Sequence, residues 1–110
     1  MAPAPRPDSL AAMSARLRLI RLAYGIVQGH SREMGQSEFS RLCGLNVSAW
    51  NNAETGDNRI GIDAAMKVVR QAGVTLDYIY FGNRAGLPHA LAMAIDKLEK
   101  DSAKPARRAS

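Results

Sequence analysis

Apolar positions recur at helical spacing along most of this chain. Leu10, Met13, Leu17, Ile20 and Tyr24 lie three or four residues apart, which puts them on one face of a helix. Ser9 stands where its side chain can cap that helix, and Gly25 stands where it can stop it. Arg16 and Arg18 fall off the apolar row and read as a solvated face. Ile26 to Gly35 reads as a loop, with or without one more turn of the first helix. Gly29 and Gly35 punctuate it, and His30, Ser31 and Arg32 are polar.

From Gln36 onward the spacing predicts short helices separated by glycines. Gln36–Leu42 forms one, with Phe39 and Leu42 inward, and Gly44 permits a sharp turn through a left-handed conformation. Asn46 caps a second, Val47–Glu54, closed by Gly56 and followed by the polar loop Asp57-Asn58-Arg59. Ile62–Ala72 is the next, with Asp63 favourably placed in its first turn and Gly73 at its end. Thr75 caps a short helix through Phe81, stopped by Gly82; the alternation Tyr78 to Phe81 is too brief to argue for a strand. Pro88 suits the first turn of a last helix, which carries Leu87, Leu91, Ile95 and Leu98 along one face and runs to Lys100.

The expected fold is all-α, with five or six helices. Residues 1–8 form a Pro-rich arm expected to be disordered, 9–98 one domain, and 99–110 a basic tail also expected to be disordered.

Composition narrows the picture. A chain of 110 residues with 46% hydrophobic residues has room for one buried core. No apolar run approaches the roughly 18 residues of a membrane span. The stretch MAPAPRPDSL offers no secretory signal, so the expected location is the cytoplasm. The single cysteine, Cys43, excludes an internal disulfide and a cysteine-clustered zinc site, and its position suits a small buried hydrophobe. His30 and His89 have no partners at ligand spacing, so neither a metal nor a cofactor is expected.

The formal charge is +5. Lys97, Lys100, Lys104, Arg107 and Arg108 against Glu99 and Asp101 account for +3 of it, and Arg6 balances Asp8, which leaves +2 for residues 10–96. A basic surface favours anionic partners, nucleic acid first. Catalytic patterns are missing: no glycine-rich phosphate loop occurs, the carboxylates are scattered, and Cys43 has no histidine near it in the chain. An enzyme is the least expected class.

The segment from Gln36 to Gly56 has the outline of a helix-turn-helix: two helices of about two turns joined by a turn containing Gly. Trp50 and Ala53, three apart, share the buried side of the second helix and leave Val47, Ser48, Asn51 and Asn52 toward the open side. Asn can hydrogen-bond adenine twice, Ser can serve either base, and Val can touch a thymine methyl.

On these residues the chain resembles the lambda-repressor/Cro-like, or XRE, family of helix-turn-helix proteins. Gln36, Phe39, Ser40 and Gly44, then Trp50, Glu54 and Gly56, occupy the family's motif positions. Arg16 to Ile26 looks like its first helix, and Ala72 to Gly82 like its final one. Val27 to Gly35 is an insertion relative to the family, and Ala53 stands where an aromatic residue or Leu is usual.

The resemblance implies a sequence-specific transcriptional regulator, a repressor that binds a palindromic operator in double-stranded DNA as a homodimer. It implies base contacts from Asn46, Val47, Ser48, Asn51 and Asn52, and phosphate contacts from Gln36, Thr55, Asn58 and Arg59. Arg21 and Glu54 match a structural ion pair. Two alternatives share the fold: the antitoxin of a toxin–antitoxin pair, whose further partner is a toxin protein, and a protein-interaction module that has lost DNA binding.

The row Leu87, Leu91, Ile95 and Leu98 lies beyond the part that resembles the family. It can be buried against the first helix of its own chain or against the same helix of a second chain. Coupling of two half-sites favours the second, a dimer contact.

Overall fold

A computed structural model describes residues 6–103. Those residues form six helices and no strand: α1 Leu10–Val27, α2 Gln36–Cys43, α3 Val47–Thr55, α4 Ile62–Ala72, α5 Leu76–Phe81 and α6 His89–Ala103. Residues 1–5 of the expected arm and 104–110 of the expected tail lie outside the described residues. α6 continues past Lys100, so residues 99–103 are helical.

α1 is the centre of the fold and packs against α3, α5 and α6, while α2 packs on α3 and α4. Its apolar row supplies Met13, Leu17 and Ile20 to one continuous core with Met34, Phe39, Trp50, Ala65, Val68, Tyr78 and Ile79. Phe39 touches both Tyr24 and Trp50, at ring-centroid distances of 5.6 and 5.1 Å. Ser9, Asn46 and Thr75 cap their helices by accepting hydrogen bonds from the N–H groups of Ala12, Ala49 and Tyr78.

Four sequence expectations are corrected. Gly25 does not end α1; it lies inside the helix, where a side chain would meet Cβ of buried Met34 at 3.0 Å. Its absent side chain is the space that lets the 28–35 loop dock. Arg16 is not solvated. It is buried and donates from Nε and Nη2 to the Ile79 carbonyl, at 3.1 and 3.0 Å, and from Nη2 to the Pro7 carbonyl. The Ile79 carbonyl is one of the four that α5 cannot satisfy within itself, so Arg16 closes the end of that helix. Leu42 points outward, 46% exposed, and Cys43 takes the inward place at the end of α2.

The fourth correction concerns the dimer contact. The α6 row is covered by α1 of its own chain: Leu91 and Ile95 are buried, with Ala94 beside them, and Leu87 and Leu98 pack at the margins. Arg84, in the loop before α6, forms ion pairs with both Asp96 and Glu99, which fastens that loop to α6.

Candidate nucleic-acid interface

α2 and α3 are joined through Gly44, whose φ of 78° lies in the left-handed region that a side chain disfavours. The Leu45 N–H reaches back to the Ser40 carbonyl at 2.8 Å, and the Lys67 ammonium of α4 donates to the Gly44 carbonyl at 3.2 Å. This turn fixes where α3 starts relative to α2.

The inner side of α3 is held by more than apolar contact. The Glu54 carboxylate accepts four hydrogen bonds: from Arg21 Nε at 2.6 Å and Nη2 at 2.9 Å, from Gln36 Nε2 at 3.0 Å and from Trp50 Nε1 at 2.6 Å. The Arg21 and Glu54 side chains are only 9% and 3% exposed. Burial pushes the Glu54 carboxyl up. The hydrogen bonds from Arg21, Gln36 and Trp50, with the Arg21 charge, outweigh it and hold the carboxyl below its usual range. Arg21 Nη1 also donates to the Met34 carbonyl, and Ser14 Oγ donates to the Ala53 carbonyl at 2.8 Å. α1, α2, α3 and the 28–35 loop therefore meet at one carboxylate–guanidinium pair.

The outer side of α3 is open. Asn46, Val47, Ser48, Asn51 and Thr55 are exposed. Asn46 is partly committed, since its Oδ1 caps the helix. Asn52 is half-buried and faces elsewhere. With Trp50, Ala53, Asn58, Arg59 and Ile60 it lines an open cavity of about 230 Å³ between α3, the following loop and α4. The two adjacent asparagines thus serve different surroundings, and Asn51 is the one on the open strip.

The residues expected at phosphates are similarly divided. Asn58 is exposed, and the Thr55 hydroxyl bonds locally to the Asn52 carbonyl and the Asp57 carboxylate, both at 3.2 Å. The Gln36 amide is turned inward onto Glu54. Arg59 is turned back to the start of α1, where Nη1 meets the Asp8 carbonyl at 2.8 Å and the Met13 sulfur at 2.9 Å. At the head of α2, Gly35 provides no side-chain cap, so the first-turn N–H groups are not closed by a side chain there.

Sequence reasoning missed the Trp50 N–H on Glu54, although the four-residue spacing on one helix was available as a signal. It also missed Ser14, a small polar residue whose bond to α3 depends on how two helices cross and leaves no mark in local spacing. Burial pushes the Cys43 thiol up to about 11, which suits an unreactive side chain. Among the described residues no His, Cys, Asp and Glu cluster could hold a metal ion, and no helix is long and apolar enough to cross a membrane. No protein-family model, curated protein or solved structure significantly matches the chain.

Proposed function

We propose that this protein is a sequence-specific DNA-binding transcriptional regulator of the lambda-repressor/Cro-like class, a repressor that binds a palindromic operator as a homodimer. The observation that carries the reading is α3 itself. Its inner side is locked by Trp50, Ala53 and the four-fold bonded Glu54, while a strip of short uncharged side chains stays open from its N-terminal end. Short polar side chains at the start of a rigid helix suit the floor of a major groove, where a helix of this width fits.

Phosphate contact falls in this reading to the first-turn N–H groups of α2, with Thr55 and Asn58 beyond α3. Arg59 joins them only by giving up the Asp8 carbonyl. Two copies related by a two-fold axis would set their recognition helices about 34 Å apart. The dimer contact must then lie away from the α6 row, which its own chain covers.

A second reading, a protein-interaction module that has lost DNA binding, draws on the low charge of residues 10–96 and on exposed Ile62, Phe81 and Met93. In either reading the protein is a binder, with no catalytic role. Selection of binding sites from random duplex DNA separates them. The DNA reading expects an enriched motif with two symmetric half-sites; recovery of no motif, with no salt-dependent retention on duplex DNA, would overturn it.

A further inference from the structure

We infer that the half-site read by α3 is built on A·T pairs, with Asn51 taking an adenine edge and Val47 a thymine methyl, and that guanine is not read directly by this helix. The inference rests on the DNA-binding reading above and gives it a chemical content. It follows from what the open strip contains and lacks.

Guanine presents two acceptors in the major groove, and its matching reader is a cation, Arg or Lys. α3, Val47-Ser-Ala-Trp-Asn-Asn-Ala-Glu-Thr55, carries no cation. Its one charged side chain, Glu54, is buried under four hydrogen bonds, so no acid is left to accept from a cytosine amine either. Flanking cations lie on other elements: Arg41 on α2, Lys67 bonded to the Gly44 carbonyl on α4, and Arg59 held on the Asp8 carbonyl.

Adenine presents one acceptor and one donor, the pattern a carboxamide answers with both ends at once. Of the three asparagines on or next to α3, Asn46 has its oxygen occupied as the helix cap and Asn52 faces the cavity beside Arg59. Asn51 is exposed, and its amide has no hydrogen-bond partner among the described residues. Val47 stands one turn before Asn51 on the same side of α3, 41% exposed although apolar. A branched apolar side chain left in the open next to a free carboxamide fits a thymine methyl beside an adenine. Ser48, between them, tolerates either base.

The test uses the full chain and duplexes recovered by selection from random sequence. The expected half-site contains invariant A·T pairs. Replacing the invariant thymidines with deoxyuridine removes only the methyl and should weaken wild-type binding about fourfold, the factor for about 0.8 kcal/mol per buried carbon. Val47→Ala should bind both duplexes alike. Asn51→Ala should lose roughly tenfold or more and accept other pairs at the adenine position. Both sites are exposed, and unchanged melting temperatures would show that the variants fold. A half-site built on invariant guanine, abolished by Arg41→Ala, would overturn the A·T assignment and leave DNA binding standing. Indifference of wild type to methyl removal would overturn the Val47 role. Recovery of no motif would overturn both the assignment and the reading beneath it.

Discussion

The Trp50 indole N–H donates to the Glu54 carboxylate one helical turn further along α3, at 2.6 Å, on the oxygen that also takes Arg21 Nε. The largest side chain of the core is thereby tied to its most buried charge pair. Trp50 packs α3 into the core and also supplies one of the four donors that make burial of a carboxylate tolerable.

Removing one partner of this pair should be costly. Glu54→Ala leaves Arg21 charged and buried and strands the Trp50 N–H, so a loss of about 3–5 kcal/mol is expected in urea unfolding. In a double-mutant cycle with Arg21→Ala, the two losses should fall short of additivity by about 0.5–3 kcal/mol. Additive losses would deny the coupling.

The same site predicts a pH dependence. The folded-state pKa of Glu54 is depressed, so its stabilising contribution is fully present above the unfolded value of about 4.3 and is lost as pH falls through the folded value. The stability gap between wild type and Glu54→Gln should therefore be largest near neutrality and shrink on acidification below about pH 4. A gap independent of pH would contradict it.

Gly25 provides a test of the loop anchor. Gly→Ala inside an unobstructed helix stabilises by roughly 1 kcal/mol. Here the added carbon meets Met34 Cβ at 3.0 Å, a rigid atom whose movement would drag the loop and the carbonyl bonded to Arg21. Gly25→Ala should lower the melting temperature, because an overpacking cost of about 1–3 kcal/mol exceeds that gain. A rise would mean the approach is not tight.

α6 belongs to the core of its own chain. Ile95→Ala should cost about 2–5 kcal/mol, and a fragment ending at Gly86 should lose cooperative unfolding. A folded, sharply melting monomer of residues 1–86 would restore the view of α6 as an element used only between chains.

Much of this fold was legible because its helices are short and carry their own boundary signals. α3, α4 and α5 match the spacing to within a residue, since each lies between a capping or turn residue and a glycine. What was not legible depended on contacts between distant segments. Gly25 stands just past an apolar row, as a stop does, and only the approach of Met34 shows why it is needed inside the helix. Arg16 lies off the apolar row of α1, yet α5 happens to end beside it. The α6 row showed that a face must be buried but not by which chain. At the site, the alternation of inner and outer residues on α3 was readable from the 3.6-residue period. The different surroundings of Asn51 and Asn52 were not, because the loop after α3 creates the cavity that Asn52 faces.

The proposed DNA contact runs over the open strip of α3 and the head of α2. The most direct measurement is a titration of the ¹⁵N-labelled chain with its selected duplex, followed by amide chemical shifts. A contact there should place the largest changes at residues 35–38, 46–51 and 55–58, with small ones on α6. Changes centred instead on Phe81 and Met93, with α3 silent, would contradict it.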